Sequence, residues 1–169
     1  PFFPVPAQFH SNRKLQKGDC LITEISGAYW GYSGQIHRTF SLGEPIESWK
    51  KLHAVAVEGY LAIEETLKDG ATTADIEDAA EIIHRRGYSI YDDLLHGVSQ
   101  TPTIIQTRTT KRHENPDITF RENMAITIQP NVITPDEKMG LQFGETVIVT
   151  KTGCERLNAY PREWIVCSR

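Results

Sequence analysis

The order of elements legible in this sequence predicts an α+β fold, a curved antiparallel sheet with helices on one face. Three observations carry that prediction. Residues 20–40 read as a bent β-hairpin punctuated by Gly31 and Gly34, residues 45–86 read as two amphipathic helices, and the β-branched runs come after residue 124.

Residues 1–18 are a polar entry with Pro1, Pro4 and Pro6, which favour extended backbone. Cys20 to Ile25 follows as a strand. Ala28 to Tyr32 and Gln35 to Phe40 continue the hairpin. Pro45 then opens a helix over 45–69. Its apolar residues Trp49, Leu52, Ala56, Tyr60, Ile63 and Leu67 recur at steps of three and four, which is one helical face, and Gly70 ends it. Both Trp49 and Tyr60 therefore read as packing groups. Thr72 and Asp75 form a capping box for a second helix over 73–86, with Ile76, Ala79, Ala80 and Ile83 as its stripe and Gly87 as its stop. Tyr88–Tyr91 is a short strand candidate. The stretch 97–123 is the least regular, with one strand at Thr103–Gln106. Ala125–Gln129 alternates and stops at Pro130. Thr146–Thr150 is a β-branched run and reads as a buried strand, followed by a turn from Gly153 into Cys154–Asn158.

The chain has 169 residues and a formal charge of −4, enough for one domain. With 39% hydrophobic residues the composition is globular. A mildly acidic balance argues against general nucleic-acid binding. No apolar run approaches a membrane span and no signal-peptide pattern is visible, so the expected setting is cytoplasmic. Cys20, Cys154 and Cys167 are an odd, widely spaced set, which fits neither a disulfide framework nor a zinc ribbon.

Five segments in order carry a resemblance: Lys17-Gly18-Asp19 with Gly31-Tyr32 and Arg38-Thr39-Phe40; Lys68-Asp69-Gly70-Ala71-Thr72; His96-Gly97; Met124 to Pro130; and Gly144 to Thr150 with Gly153. Together they resemble the creatinase/aminopeptidase family, the pita-bread fold of methionine aminopeptidase, Xaa-Pro peptidase, prolidase and creatinase. The resemblance runs from about residue 11 to residue 158. The family fold is larger than this chain. The resemblance thus implies that 1–169 is an incomplete creatinase/aminopeptidase-like catalytic domain, lacking the helices at its N-terminal side.

Family peptidases hold two divalent metals with two Asp, one His and two Glu. Four carboxylates neutralise the +4 charge while the imidazole supplies nitrogen. Carried over residue by residue, these positions are Glu24, Gln35, His96, Gln129 and Gly144. Only the His is kept in kind. Glu145 stands beside the last position, but a shift of one residue turns a strand side chain to the other face unless a bulge re-aims it. The expectation is therefore no cofactor and no dimetal centre, with a single weakly bound divalent metal on Glu24 and His96 left open.

Creatinase shows the alternative within the same resemblance, a hydrolase without metal. That precedent implies His96 as proton shuttle and Glu24 as its catalytic partner, holding a substrate cation. Gln35, Gln129, His10 and His37 are candidate substrate-binding residues, while His113-Glu114 with Pro116 echoes a family His-Glu-x-Pro at a longer spacing. The leading expectation is a metal-independent hydrolase of an amide, peptide or guanidino C–N bond. The alternatives are a non-catalytic binding module and an Xaa-Pro-type metalloaminopeptidase. Expected partners are a small molecule or short peptide and, as the resemblance implies for the full-length form, a second copy in a homodimer.

Overall fold

The computed structural model describes residues 12–91, 93–98, 103–106 and 115–168. Its elements run β1 (Cys20–Tyr29), β2 (Tyr32–Leu42), α1 (Glu47–Thr66), α2 (Thr73–Arg85), β3 (Ser89–Ile90), β4 (Asp93–Gly97), β5 (Thr103–Gln106), β6 (Ala125–Ile128), β7 (Asn131–Ile133), β8 (Gly140–Gln142), β9 (Gly144–Val149), β10 (Cys154–Arg156) and β11 (Ile165–Cys167).

Strands β1 and β2 form one long hairpin rather than a hairpin broken at each glycine. Every residue from Cys20 to Tyr29 has a partner from Ser41 to Tyr32. The reversal falls on Trp30 and Gly31, both at positive φ, 50° and 83°. That is the mirror-image two-residue turn that matches strand twist, and Gly31 adopts it without a Cβ penalty.

The main sheet has the order β1-β2-β9-β6-β4-β5, with β10 on β9 and β11 on β2, and β3-β7-β8 make a smaller sheet. The pairs are antiparallel except β11 with β2, which run parallel. The sequence reading contained none of β4, β7, β8, β10 and β11. Each is five residues or fewer, too short to show a period of its own.

Both helices pack on one face of the sheet, as their single apolar stripes require. Leu52, Ala56, Tyr60 and Ile63 of α1 join Ile76, Ala80 and Ile83 of α2 in one core with Ile126, Ile128, Val147 and Val149. Gly59 lets the helices approach closely, since a Cβ there would meet the Ile83 side chain at 2.7 Å. Helix α2 starts on the expected capping box, with Thr72 and Asp75 each bonding the other's backbone N–H. Helix α1 is shorter than the predicted 45–69. It begins behind the N-cap Ile46, which has no side-chain cap, and ends at the extended residue Leu67, before Gly70 at φ 86°. Among the described residues no helix is long and apolar enough to cross a membrane.

Candidate active site

The sheet face turned away from the helices collects the sequence-predicted residues, and strand register explains how. Glu24 of β1 lies opposite His37 of β2, and Ser26 opposite Gln35. His37 in turn lies opposite Gly144 of β9. Thr127 of β6 pairs with Thr146 on one side and with His96 of β4 on the other. Alternation along each strand then places Glu24, Gln35, His37, Thr127, Thr146 and His96 on the same face.

Their side chains form two linked groups. Gln35 donates its amide N–H to the Glu24 carboxylate at 3.1 Å, and His37 Nε2 stands 3.6 Å from the same carboxylate. His96 Nδ1 faces the Gly97 carbonyl at 2.6 Å and Nε2 faces Gln129 Oε1 at 3.1 Å. The two threonines join the groups, hydroxyl to hydroxyl at 2.9 Å, and the Gln35 backbone N–H donates to Thr146 at 2.8 Å. The positive charge of a protonated His96 acts on both Glu24 and His37. Glu24, Gln35, His96 and Gln129, distant in sequence, thus converge on one site.

The electrostatics differ between the two partners on the hairpin. The imidazole of His37 holds the Glu24 carboxyl below its ordinary range, against partial burial. His37 is itself fully buried, and burial holds its pKa below the ordinary imidazole value despite Glu24. Burial outweighs a contact just beyond hydrogen-bond length, so the pair rests as carboxylate and neutral imidazole. His37 has no exposed surface and stands behind Glu24.

His96 has acceptors drawn at both ring nitrogens. The carbonyl of Gly97 can only accept, so Nδ1 carries a proton. A protonated ring donates from Nε2 to Gln129 as drawn. A neutral ring instead accepts there from the rotated amide of Gln129. Gln129 thus has a hydrogen bond to offer in either protonation state of the ring.

Gly144 and Glu145 settle the last two positions. A Cβ on Gly144 would lie 2.2 Å from the Ile128 carbonyl oxygen and 2.8 Å from Gln129 Cα. The neighbouring backbone has closed over the place where the family carries a ligand. Glu145 faces the opposite side, fully buried, and takes hydrogen bonds from Arg38, Arg156, Arg162, Asn158 and Tyr60. Burial would raise its pKa, but Arg156, Arg38 and Asn158 overcome that and hold it at about 2. It is a structural charge and no ligand.

The donor set therefore does not fit a pair of divalent cations. One carboxylate and one imidazole, with two neutral amides and a closed glycine, leave most of a +4 charge unbalanced. Among the described residues no three His, Cys, Asp or Glu stand together as a metal site.

Two residues were missed by sequence reasoning. Asn131 and Gln142, paired across β7 and β8, are buried beside the site, two residues along from Gln129 and Gly144 respectively. Both Asn131 amide atoms, Gln142 Oε1, Gln35 Oε1 and both His37 nitrogens have no hydrogen-bond partner among the described residues. The signal was the step of two from known positions, but a lone Asn or Gln carries no motif. His10 and His113 lie outside the described residues. Burial pushes the Cys20 and Cys154 thiols up to about 11, which keeps them protonated at neutral pH.

Residues 4–151 match the metallopeptidase family M24. The chain belongs to this family. It is 30% identical over 165 residues to an Xaa-Pro dipeptidase of Pyrococcus horikoshii, covering 95% of this chain and 45% of that protein. It is 28% identical to a probable dipeptidase, PepE, of Mycobacterium tuberculosis, covering 95% of this chain and 43% of that one. Among solved structures, an X-Pro aminopeptidase from Thermotoga maritima superposes with a TM-score of 0.82 at 26% identity, covering 97% of this chain and 46% of that one. The prolidase from Pyrococcus horikoshii gives 0.80 at 27% identity, over 96% of this chain and 46% of its own. The chain thus spans a little under half the length of these M24 relatives, and its sheet and helices are those of the pita-bread fold.

Proposed function

We propose that this M24 domain acts as a peptidase-like hydrolase on the C–N bond of short peptides of the Xaa-Pro type, with His96 and Glu24 as its reacting side chains. The relatives support the substrate class. They are known as dipeptidases and Xaa-Pro peptidases, which favours the Xaa-Pro alternative over the guanidino substrate that the creatinase precedent suggested. The observation that carries the site is the convergence of His96, held by Gln129 and the Gly97 carbonyl, with the Glu24 carboxylate, held by Gln35.

In this reading His96 removes a proton from water as the water oxygen attacks the peptide carbonyl carbon. The C–N bond then breaks, and His96 returns that proton to the leaving nitrogen. Glu24, anionic at neutral pH, stabilises the imidazolium that forms between the two transfers and holds a substrate ammonium. Gln35 fixes the carboxylate and Gln129 the ring. Since the donor set does not fit the family's metal pair, no step here runs through a metal.

Hydrolysis of Xaa-Pro dipeptides by the full-length protein tests this reading. Turnover that persists in a strong chelator and is abolished by His96→Ala is the expected result. Turnover lost to chelator and restored by manganese, cobalt or zinc would overturn the metal-independent step and return the protein to the metal-dependent peptidases. Dipeptide binding without turnover would instead select a binding module, the reading that the closed Gly144 position favours.

A further inference from the structure

The site is assembled from separate parts of the sheet. Glu24, Gln35 and His37 belong to the β1–β2 hairpin, whereas Thr127, Gln129 and His96 belong to β6, the residue just past it, and β4. The parts are joined where β2 pairs with β9, and that seam is short: two residue pairs, Ile36 with Glu145 and His37 with Gly144. From Phe40 to Leu42, β2 pairs with β11 instead. The separation of Glu24 from His96 therefore depends on the seam. Behind it, on the helix face, lies the guanidinium of Arg38, 2% exposed. Its Nη1 donates to both carbonyls of one seam pair, His37 at 2.8 Å and Gly144 at 2.9 Å. Its Nη2 donates to the Glu145 carboxylate at 2.7 Å and to the Tyr160 carbonyl at 3.5 Å, and Nε donates to the Pro161 carbonyl at 2.9 Å. A guanidinium carries five N–H groups in one rigid plane, and here each has an acceptor. Two other side chains also cross the seam: Thr146 Oγ1 accepts from the Gln35 N–H at 2.8 Å, and Thr39 Oγ1 donates to the Gln142 carbonyl at 3.3 Å. Neither reaches a third segment of the chain.

We infer that Arg38 is a positioning residue for the site: it clamps the short β2–β9 seam from behind, and the Tyr160 and Pro161 carbonyls hold its plane against His37 and Gly144. The effect on turnover rests on the peptide reading above, whereas the clamp stands without it. Neutralising Glu145 does not require Arg38, because Arg156 and Arg162 face the same carboxylate. What Arg38 adds is the link from that charge to the two seam carbonyls and to the C-terminal segment. A lysine there would keep the ion pair, but its ammonium has three donors and no plane, too few for this set of acceptors. The C-terminal segment is itself tied down. Arg162 pairs with Glu64 of α1 and with Glu145. Arg156 donates to the Tyr160 carbonyl at 3.0 Å, and the Tyr160 N–H donates to Asn158 Oδ1 at 3.0 Å. Releasing Arg162 therefore loosens the carbonyls that orient Arg38, and through Arg38 the placement of Glu24 and Gln35 relative to His96 and Gln129.

The experiment uses the full-length protein at a temperature where circular dichroism shows each variant folded. Arg38→Lys tests the clamp directly. Arg162→Met tests it from the C-terminal segment, leaving Arg38 and Arg156 on Glu145, and decides alone if Arg38→Lys does not fold. With an Xaa-Pro dipeptide, kcat is expected to fall by roughly tenfold or more in Arg38→Lys and by about threefold or more in Arg162→Met, while KM stays within about threefold. Arg162→Lys, which restores the ion pair, is expected to recover the wild-type kcat. Histidine ring NMR supplies a readout independent of turnover: the His96 ring, on the far side of β9 from the hairpin, shifts in both variants, while the His84 ring on α2 stays. Smaller losses of kcat in folded variants, a loss carried by KM instead, or an unmoved His96 ring would overturn the clamp. His84 moving as much as His96 would mark general loosening and overturn it as well. If the wild type turns over no dipeptide, the peptide reading fails by itself, and the two ring signals alone decide whether Arg38 positions the site.

Discussion

Gly144 and Glu145 are neighbours on one strand, and they belong to two different kinds of surface. Glu145 looks toward the helices and finds three arginines, an asparagine and a tyrosine around its carboxylate. Gly144 belongs to the other face, where His37, Asn131, Gln142 and Gln35 bury polar atoms without partners among the described residues. The helix face spends its charges on holding the fold, with Glu145 fully paired although Arg162 Nε has no partner among the described residues. The other face leaves polar groups unsatisfied, an arrangement that costs stability and is tolerated where a protein binds or reacts.

Removing the satisfied charge should hurt most. Glu145→Ala leaves Arg38, almost fully buried, and two further guanidinium groups without their shared anion. The expected loss is about 4 kcal/mol, read from the urea midpoint of the full-length protein. A loss below about 1 kcal/mol would show that the arginines relax into solvent and that the two faces do not differ as argued.

Acid probes the same group without mutation. The folded pKa of Glu145 is about 2 against an ordinary 4.5, so the folded state binds fewer protons than the unfolded chain between those values. Its contribution is complete above pH 4.5 and falls away as the pH drops toward 2, by an amount on the order of 3 kcal/mol. Denaturation curves from pH 5 to pH 2 should show Glu145→Gln losing less over that window than the wild type. Parallel curves would contradict the assignment.

Gly144→Ala should cost about 2 kcal/mol, because the added carbon meets backbone rather than a side chain that can turn away. A thermal scan of the full-length protein checks it, and an unchanged midpoint would mean that the strands part readily and that a ligand side chain could be restored there. Asn131→Leu gives the smallest effect and the opposite sign. Replacing a buried, unpartnered amide by hydrocarbon of similar size should leave stability unchanged or raise it by about 1 kcal/mol. A clear loss would reveal a partner for Asn131 and dissolve the contrast between the faces.

How much of this was legible beforehand depended on the range of the physics involved. The stripe from Trp49 to Leu67, the Thr72–Asp75 cap and the β-branched run at Thr146 are local signals, and the structure follows them. The alternation that sent Glu145 away from the site is equally local and was correct. By contrast, nothing in the sequence around His37 announced a buried ring, since its burial depends on Glu24 thirteen residues earlier and on Gly144 across the sheet.

By itself the sequence determined the α+β class and the two helices with their apolar faces, which follow from periodicity and capping chemistry acting over a few residues. The family resemblance came from five motifs in order, and the residues at its ligand positions were what that resemblance implies. Only the tertiary structure decided that Glu24 and His96 share one site, that Ile128 and Gln129 close the Gly144 position, and that Glu145 is enclosed by arginines from β2, β10 and the C-terminal segment. Each of these is set by pairing between strands far apart in the chain. Register across a sheet is fixed by the sum of many long-range contacts, and no short stretch of sequence contains that sum.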